Sequence, residues 1–249
     1  MAKSSKDKDR RAVVERMRRE QQRAEKRRTY AIVAACAAVG LVIIGLGAYP
    51  VIKDSMAQNR LSGEDLSTLG VAAAQAGCQD VTTTKATGSA DHKPEGQPIF
   101  YDEAPPASGP HYAVPAPLSR KFYSAADRPE IGTLVHNLEH GYNILWYDET
   151  IAEDDEKLAQ VKAIANKFPS DSDPTNKFIA APWTSDDGKG KAFPEGTHIA
   201  LTHWSMGDTN GNPEGQLGIH QYCAAPSGEV VSKFVEDYPY TDSPEPNAA

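Results

Sequence analysis

The sequence of 249 residues predicts a small α+β domain, with a mostly antiparallel sheet and two or three helices, preceded by one transmembrane helix. Three observations predict it. One apolar run of 23 residues, Tyr30 to Ile52, carries no charge and lies near the N-terminus. Beyond it, short segments rich in Val, Thr and aromatic residues are separated by turn-forming stretches, as small strands are. Among them a single long stretch, Ala152 to Phe168, is amphipathic with helical spacing, and no internal repeat is visible.

At 1.5 Å per residue the apolar run would span about 34 Å, slightly more than the roughly 30 Å hydrocarbon core of a bilayer. Charge then orients it. Residues 1–28 carry 12 Lys/Arg against 5 Asp/Glu, whereas from Lys53 onward there are 14 against 29, so the net charge of −8 is the sum of +7 and −15. A basic flank stays cytoplasmic. The expected organisation is therefore a basic cytoplasmic tail (1–29), a transmembrane helix (30–52), a juxtamembrane segment (53–77), an extracytoplasmic domain (78–238) and a disordered Pro-rich tail (239–249). A cleaved signal peptide, processed at Ser55-Met56-Ala57, is the rival reading. The apolar run is too long for a signal h-region and the charged head too long for an n-region, which favours an uncleaved anchor. The Arg-rich head is expected to be a solvated helix touching anionic headgroups through Arg27 and Arg28. The positive-inside flank already explains its charge, so no nucleic acid is expected as a partner.

Ser62 ahead of Glu64, Asp65 and an Ala-rich run predicts a capped helix ending at Gly77. Cys78 to Thr84 reads as a strand, and Lys85 to Gln97 as a loose polar segment. The Pro-rich stretch that follows, IFYDEAPPASGPHYAVPAPL, leaves many backbone groups unpaired, so side chains must hold that loop. In Gly132 to Asp148, GTLVHNLEHGYNILWYD, a short helical turn stops at Gly141 and a strand leaves it. The acids Glu153 to Glu156 suit the N-terminus of the amphipathic helix. Lys177 to Trp183 and Thr197 to Trp204 read as strands, and Gly228 to Tyr238 as a closing helix.

Three cysteines are present. Cys36 falls within the span. Cys78 and Cys223 lie near the two ends of the external domain, in a compartment where disulfides persist, and are expected to pair. Such a bond would contribute at most about 5 kcal/mol through chain entropy. The absence of Cys-x-x-Cys argues against a redox role.

Of seven histidines, His111, His136, His140, His198, His203 and His220 fall in the ordered part, and His92 in the loose segment. His136 and His140 are four apart with Glu139 between them, so on a helical turn both imidazoles share one face and could reach one ion. His-x-x-Glu-His is also the inverzincin signature, in which two histidines bind zinc and the glutamate polarises water for hydrolysis. That motif belongs inside a long helix, whereas Gly141 ends this one at once. Asp208, Asn210 and Asn212 imitate the start of a calcium loop, but Pro213 stands where glycine is needed and Ile219 where the bidentate glutamate belongs. A hairpin turn at Asn210-Gly211 is expected there instead. No phosphate-cradling loop, nucleophile elbow or dinucleotide fingerprint occurs.

The segments PPASGPHY (Pro105 to Tyr112) and VHNLEHGYNILWYD (Val135 to Asp148), behind an N-terminal anchor, resemble a bacterial, mainly actinobacterial, family of membrane-anchored proteins known as domain of unknown function 3105. The matching residues are Pro105, Pro106, Ser108, Gly109, His111 and Tyr112, then His136, Leu138, Glu139, His140 and Gly141. The resemblance implies an extracytoplasmic domain with no established reaction. In LTHWSM, His203 replaces a small residue typical of that family, which places His203 and Met206 behind the motif histidines as candidates.

The Ser108-Gly109-Pro110 turn can present His111 at a fixed angle, and the turn ending at Gly141 presents His136 and His140 together. Three neutral imidazoles with Glu139 as fourth ligand or as a supporting acceptor would suit zinc or copper, and Met206, if it reached them, would favour copper. The competing expectation is that these histidines merely satisfy loop carbonyls. The sequence thus points to a membrane-tethered, non-catalytic module that binds a transition metal or serves as accessory or assembly subunit of a larger membrane complex, such as a respiratory one. The alternative is a zinc-dependent hydrolase with Glu139 as its catalytic residue.

Overall fold

In the computed structural model the described residues are 2–189, 191–207 and 213–248. The chain divides into two units, Met1–Met56 and Ala57–Ala249. The described residues of the first unit lie within α1 (Ala2–Ser62), a helix with Pro50 inside it. By length and composition α1 holds a stretch long and apolar enough to cross a membrane. Its basic half carries helical ion pairs, Arg16 with Glu20 and Arg19 with Glu15. Exposed pairs of this kind contribute only a few tenths of a kcal/mol each.

The second unit contains β1 (Thr82–Lys85), β2 (His92–Lys93), β3 (His111–Tyr112), α2 (Ile131–Glu139), β4 (Asn143–Tyr147), α3 (Glu149–Ala152), α4 (Asp155–Ala165), β5 (Phe178–Pro182), β6 (Ile199–Ser205), β7 (Leu217–Cys223) and α5 (Gly228–Asp237). The main sheet has the order β1-β7-β6-β4-β5. Its pairs are antiparallel except β4 with β5. A parallel neighbour requires a crossover, and α3 and α4 supply it. The expected α+β class with a mostly antiparallel sheet is what is found.

Alternation along the strands sorts side chains onto two faces. In β4, Leu145 and Tyr147 join one apolar cluster with Val161, Ile164, Phe178 and Phe234, beneath α4 and α5. Ile144 and Trp146 join the other, with Leu134, Val135, Leu138 and Trp204, beneath α2. Because both faces are covered, strand β4 is buried at every position.

Several elements differ from expectation. No helix runs from Ser62 to Ala76: α1 ends at Ser62, and two single 3₁₀ turns, Leu66–Thr68 and Ala73–Gln75, follow. Gly70, at φ +79°, breaks the segment, and its neighbours bond to the start of α5 through Val71 N–H to Pro226 O and Gly228 N–H to Leu69 O. The amphipathic helix expected over Ala152 to Phe168 is the shorter α4, which starts at Asp155 because the Asp154 side chain accepts from Glu156 N and Lys157 N. The sequence reading contains no strand at β7, which pairs with both β1 and β6. The calcium-like residues Asp208, Asn210 and Asn212 and the Asn210-Gly211 turn lie outside the described residues. The bond between Cys78 and Cys223 is present, and Cys36 is unpaired.

The end of the chain is not the expected loose tail. Residues 239–248 form a strap against the domain: His203 donates Nε2–H to Asp242 O at 2.7 Å, Ser205 Oγ donates to Asp242 Oδ2 at 2.7 Å, and Glu245 N–H donates to Glu139 O at 2.9 Å. Lys177 Nζ donates to His140 O, Pro246 O and Ala248 O, so a buried cation replaces the hydrogen bonds that a Pro-rich segment cannot make for itself. Gly141, at φ +90°, is required here, since a Cβ would collide with the carbonyl of Tyr240.

Candidate metal centre

Helix α2 is short and almost wholly buried. A helix enclosed in this way must have its polar side chains satisfied inside the protein, and three of them tie it to loops. Asn137 donates Nδ2–H to Ala116 O and accepts Ala116 N–H, both at 2.8 Å. His136 donates Nδ1–H to Tyr112 O at 2.6 Å. Glu139 Oε1 accepts from Ala90 N–H at 2.7 Å and Ser89 Oγ at 3.1 Å. Ala90 has φ +56°, a left-handed backbone that a non-glycine residue rarely adopts, and the strain lies where the loop reaches this carboxylate.

His111 is presented by the Pro-rich loop. Its Nδ1–H goes to Gly109 O at 2.9 Å, and Gly109 itself sits at φ +137°, with Tyr101 packed where a Cβ would be. Strands β2 and β3 run parallel with His92 in register with His111. That ladder places the two imidazoles side by side.

The three rings His92, His111 and His136 stand 4.8, 5.0 and 4.8 Å apart between centroids. Zinc–nitrogen bonds of about 2.0–2.1 Å at tetrahedral angles would put imidazole centroids about 5.2 Å apart. Glu139 completes the group, whose ligand atoms all lie within 4.8 Å of one another. His111, His136 and Glu139 are buried, and His92 is exposed, so the group meets solvent on the His92 side.

The protonation pattern favours a cation here. With the Nδ1 protons of His111 and His136 committed to carbonyls, each neutral ring turns a bare Nε2 lone pair inward. His111 Nε2 then faces Glu139 Oε2 at 2.9 Å, both fully buried. That distance suits a hydrogen bond only if a proton lies between them, and neither atom has another hydrogen-bond partner among the described residues. Two buried acceptors facing each other require a positive charge, from a proton or a metal ion. Burial opposes protonation of His111, yet the Glu139 carboxylate and the Gly109 carbonyl outweigh it and raise its pKa. Burial also acts to raise the pKa of Glu139, but His111 and the Ala90 and Ser89 hydrogen bonds bring it below the usual value. His136 is pushed down to about 4, by burial first and then by neighbouring imidazoles, so it is neutral near pH 7.

His111, His136 and Glu139 therefore come together as the sequence suggested. His140 stands outside the group: its Nε2 lies 2.9 Å from His136 Nε2 and 3.5 Å from Glu245 Oε2. His92 takes the remaining place. No spacing rule marks His92, because it reaches the group only through its register with His111. The other candidates have ordinary partners. His203 bonds to Asp242 O, His220 donates Nε2–H to Pro105 O at 3.0 Å, His198 pairs with Asp148 at 2.8 Å, and Met206 Sδ accepts from Gln216.

Among protein-family models, the one described as "Protein of unknown function (DUF3105)" matches residues 92–249. The match takes in all four residues of the group and the C-terminal strap, and leaves Cys78 outside. No curated protein and no solved structure matches the chain.

Proposed function

We propose that this chain, which belongs to the DUF3105 family over more than half of its length, is a membrane-anchored, non-catalytic module whose His92, His111, His136 and Glu139 bind one zinc or copper(II) ion. The observation that carries this reading is the buried pair of facing acceptors, His111 Nε2 and Glu139 Oε2, each held in that orientation by bonds on its opposite side. Three imidazoles and a carboxylate suit these borderline divalent ions, and the group contains no thiolate or thioether that would select copper(I).

The engagement of Glu139 argues against a hydrolase. A general base must face a metal-bound water that substrate can approach. Here one carboxylate oxygen accepts from Ser89 and Ala90, the other faces His111, and the residue is fully buried.

The anchor reading rests on α1 and its charge asymmetry, with the basic end cytoplasmic and the acidic domain extracytoplasmic. The partners proposed on that basis are the bilayer and a larger membrane complex, of respiratory type for example, with no nucleic acid. Elemental analysis of the full-length protein purified from native membranes tests the metal reading: one zinc or copper per chain is expected. Absence of metal, together with no uptake of zinc or copper(II) by calorimetric titration, would overturn it. Protease protection in sealed vesicles tests the orientation, with the globular unit expected to be cleaved only from the outer side.

A further inference from the structure

The metal reading leaves His140 without a role, yet it touches the group on one side and the C-terminal strap on the other. Carbonyl oxygens only accept, so the 2.6 Å contact with Tyr112 O fixes the proton of a neutral His136 on Nδ1 and leaves Nε2 bare. The 2.9 Å contact between the two Nε2 atoms then requires that His140 be the donor. A metal ion needs that same His136 lone pair. Binding must therefore displace the His140 N–H, which is largely buried and needs another acceptor.

Among the described residues, Glu245 offers an acceptor within reach. Glu245 Oε2 lies 3.5 Å from His140 Nε2, too far for a good hydrogen bond as it stands. Glu245 is already fixed at its backbone, where its N–H donates to Glu139 O. The strap is held from the same direction by Lys177, which joins His140 O to Pro246 O and Ala248 O.

On the basis of the metal reading above, we infer that occupancy of the metal site is coupled to the C-terminal strap: the ion takes the Nε2 lone pair of His136, and the displaced His140 N–H moves onto Glu245 and tightens residues 239–248. No proton leaves His140; its hydrogen bond changes acceptor. Coupling of this kind is reciprocal, so whatever loosens the strap also weakens the metal. The strap would report the loaded state on a surface formed by the end of the chain, where a partner could distinguish loaded from empty protein.

Hydrogen–deuterium exchange on the full-length protein in detergent, with and without saturating zinc or copper(II), tests this directly. Metal is expected to slow exchange across residues 239–248 several-fold. In Glu245→Ala the ion should still bind while the strap no longer responds. His140→Phe removes the competing donor, and metal affinity should rise about five-fold, the equivalent of one ordinary hydrogen bond. Metal binding with unchanged strap exchange in the natural protein would overturn the coupling and leave the metal site standing. A fall in affinity in a folded His140→Phe protein, checked by its circular dichroism, would also overturn it, by showing that His140 is itself a ligand. Failure to bind either metal would overturn both readings.

Discussion

The histidines of the globular unit form two contrasting sets. Those on or beside the main sheet, His198, His203 and His220, each have a private partner: a carboxylate, the strap carbonyl of Asp242, and the loop carbonyl of Pro105. Those in the loop-and-helix region, His92, His111 and His136, crowd one another instead. Both sets satisfy loop carbonyls, so a carbonyl partner alone does not separate a structural histidine from a ligand. The atom used does. His203 and His220 spend Nε2 on the protein, whereas His111 and His136 spend Nδ1 and turn Nε2 toward the group.

That contrast can be broken by substitution. The largest effect is expected for His111→Ala, which removes a ligand: affinity for zinc or copper(II) should fall more than a hundredfold, beyond the 10–100-fold typical of losing a supporting residue, measured by competition with a chelator. An unaltered affinity would move His111 into the structural set. His220→Ala should do the reverse. It leaves the buried carbonyl of Pro105 unpartnered and should cost about 2 kcal/mol of stability by denaturant unfolding, with metal stoichiometry unchanged. Ser89→Ala tests the support of the carboxylate: loss of one bond to Glu139 should weaken metal about tenfold with little change in stability.

The smallest effect is a dependence of Tm on pH in chelator-treated protein. Burial lowers the pKa of both His203 and His220. A histidine whose folded pKa lies below its unfolded value of 6.5 contributes stability that is complete above that value and is lost as pH falls through the folded pKa. Tm should therefore decline from pH 7 toward pH 4.5, and less steeply in His220→Gln, where an amide N–H can still serve Pro105 O. An equally steep decline would remove His220 from the account.

Much of this architecture was legible because it is local. The apolar run, the alternation of NILWY and the spacing of His136 and Glu139 before Gly141 all follow from neighbours in sequence. What escaped depends on distant partners. Strand β7, LGIHQYC, interrupts its apolar residues with Gly, His and Gln, and only its pairing with β1 and β6 makes it a strand. His92 lies in a polar segment that carries no periodicity, yet its register with His111 brings it into the group. The strap looked disordered because Pro-rich sequence makes few internal hydrogen bonds; Lys177, 71 residues from Ala248, supplies the donors it lacks.

The bond between Cys78 and Cys223 also decides how the domain would carry a load. Ahead of β1, a short strand at the edge of the main sheet, the chain is held first by the bonds of Leu69 and Val71 to the start of α5 and then, at Cys78, by the disulfide. Once the bonds to α5 gave way, tension from the N-terminal side would otherwise unzip β1 one rung at a time, the easiest way to open a sheet from its edge. With the disulfide in place the pull passes at Cys78 to Cys223, the last residue of β7, which is paired on both sides. The edge strand then lies outside the path of force, and a pull from the N-terminal side must shear an interior strand before the fold gives way.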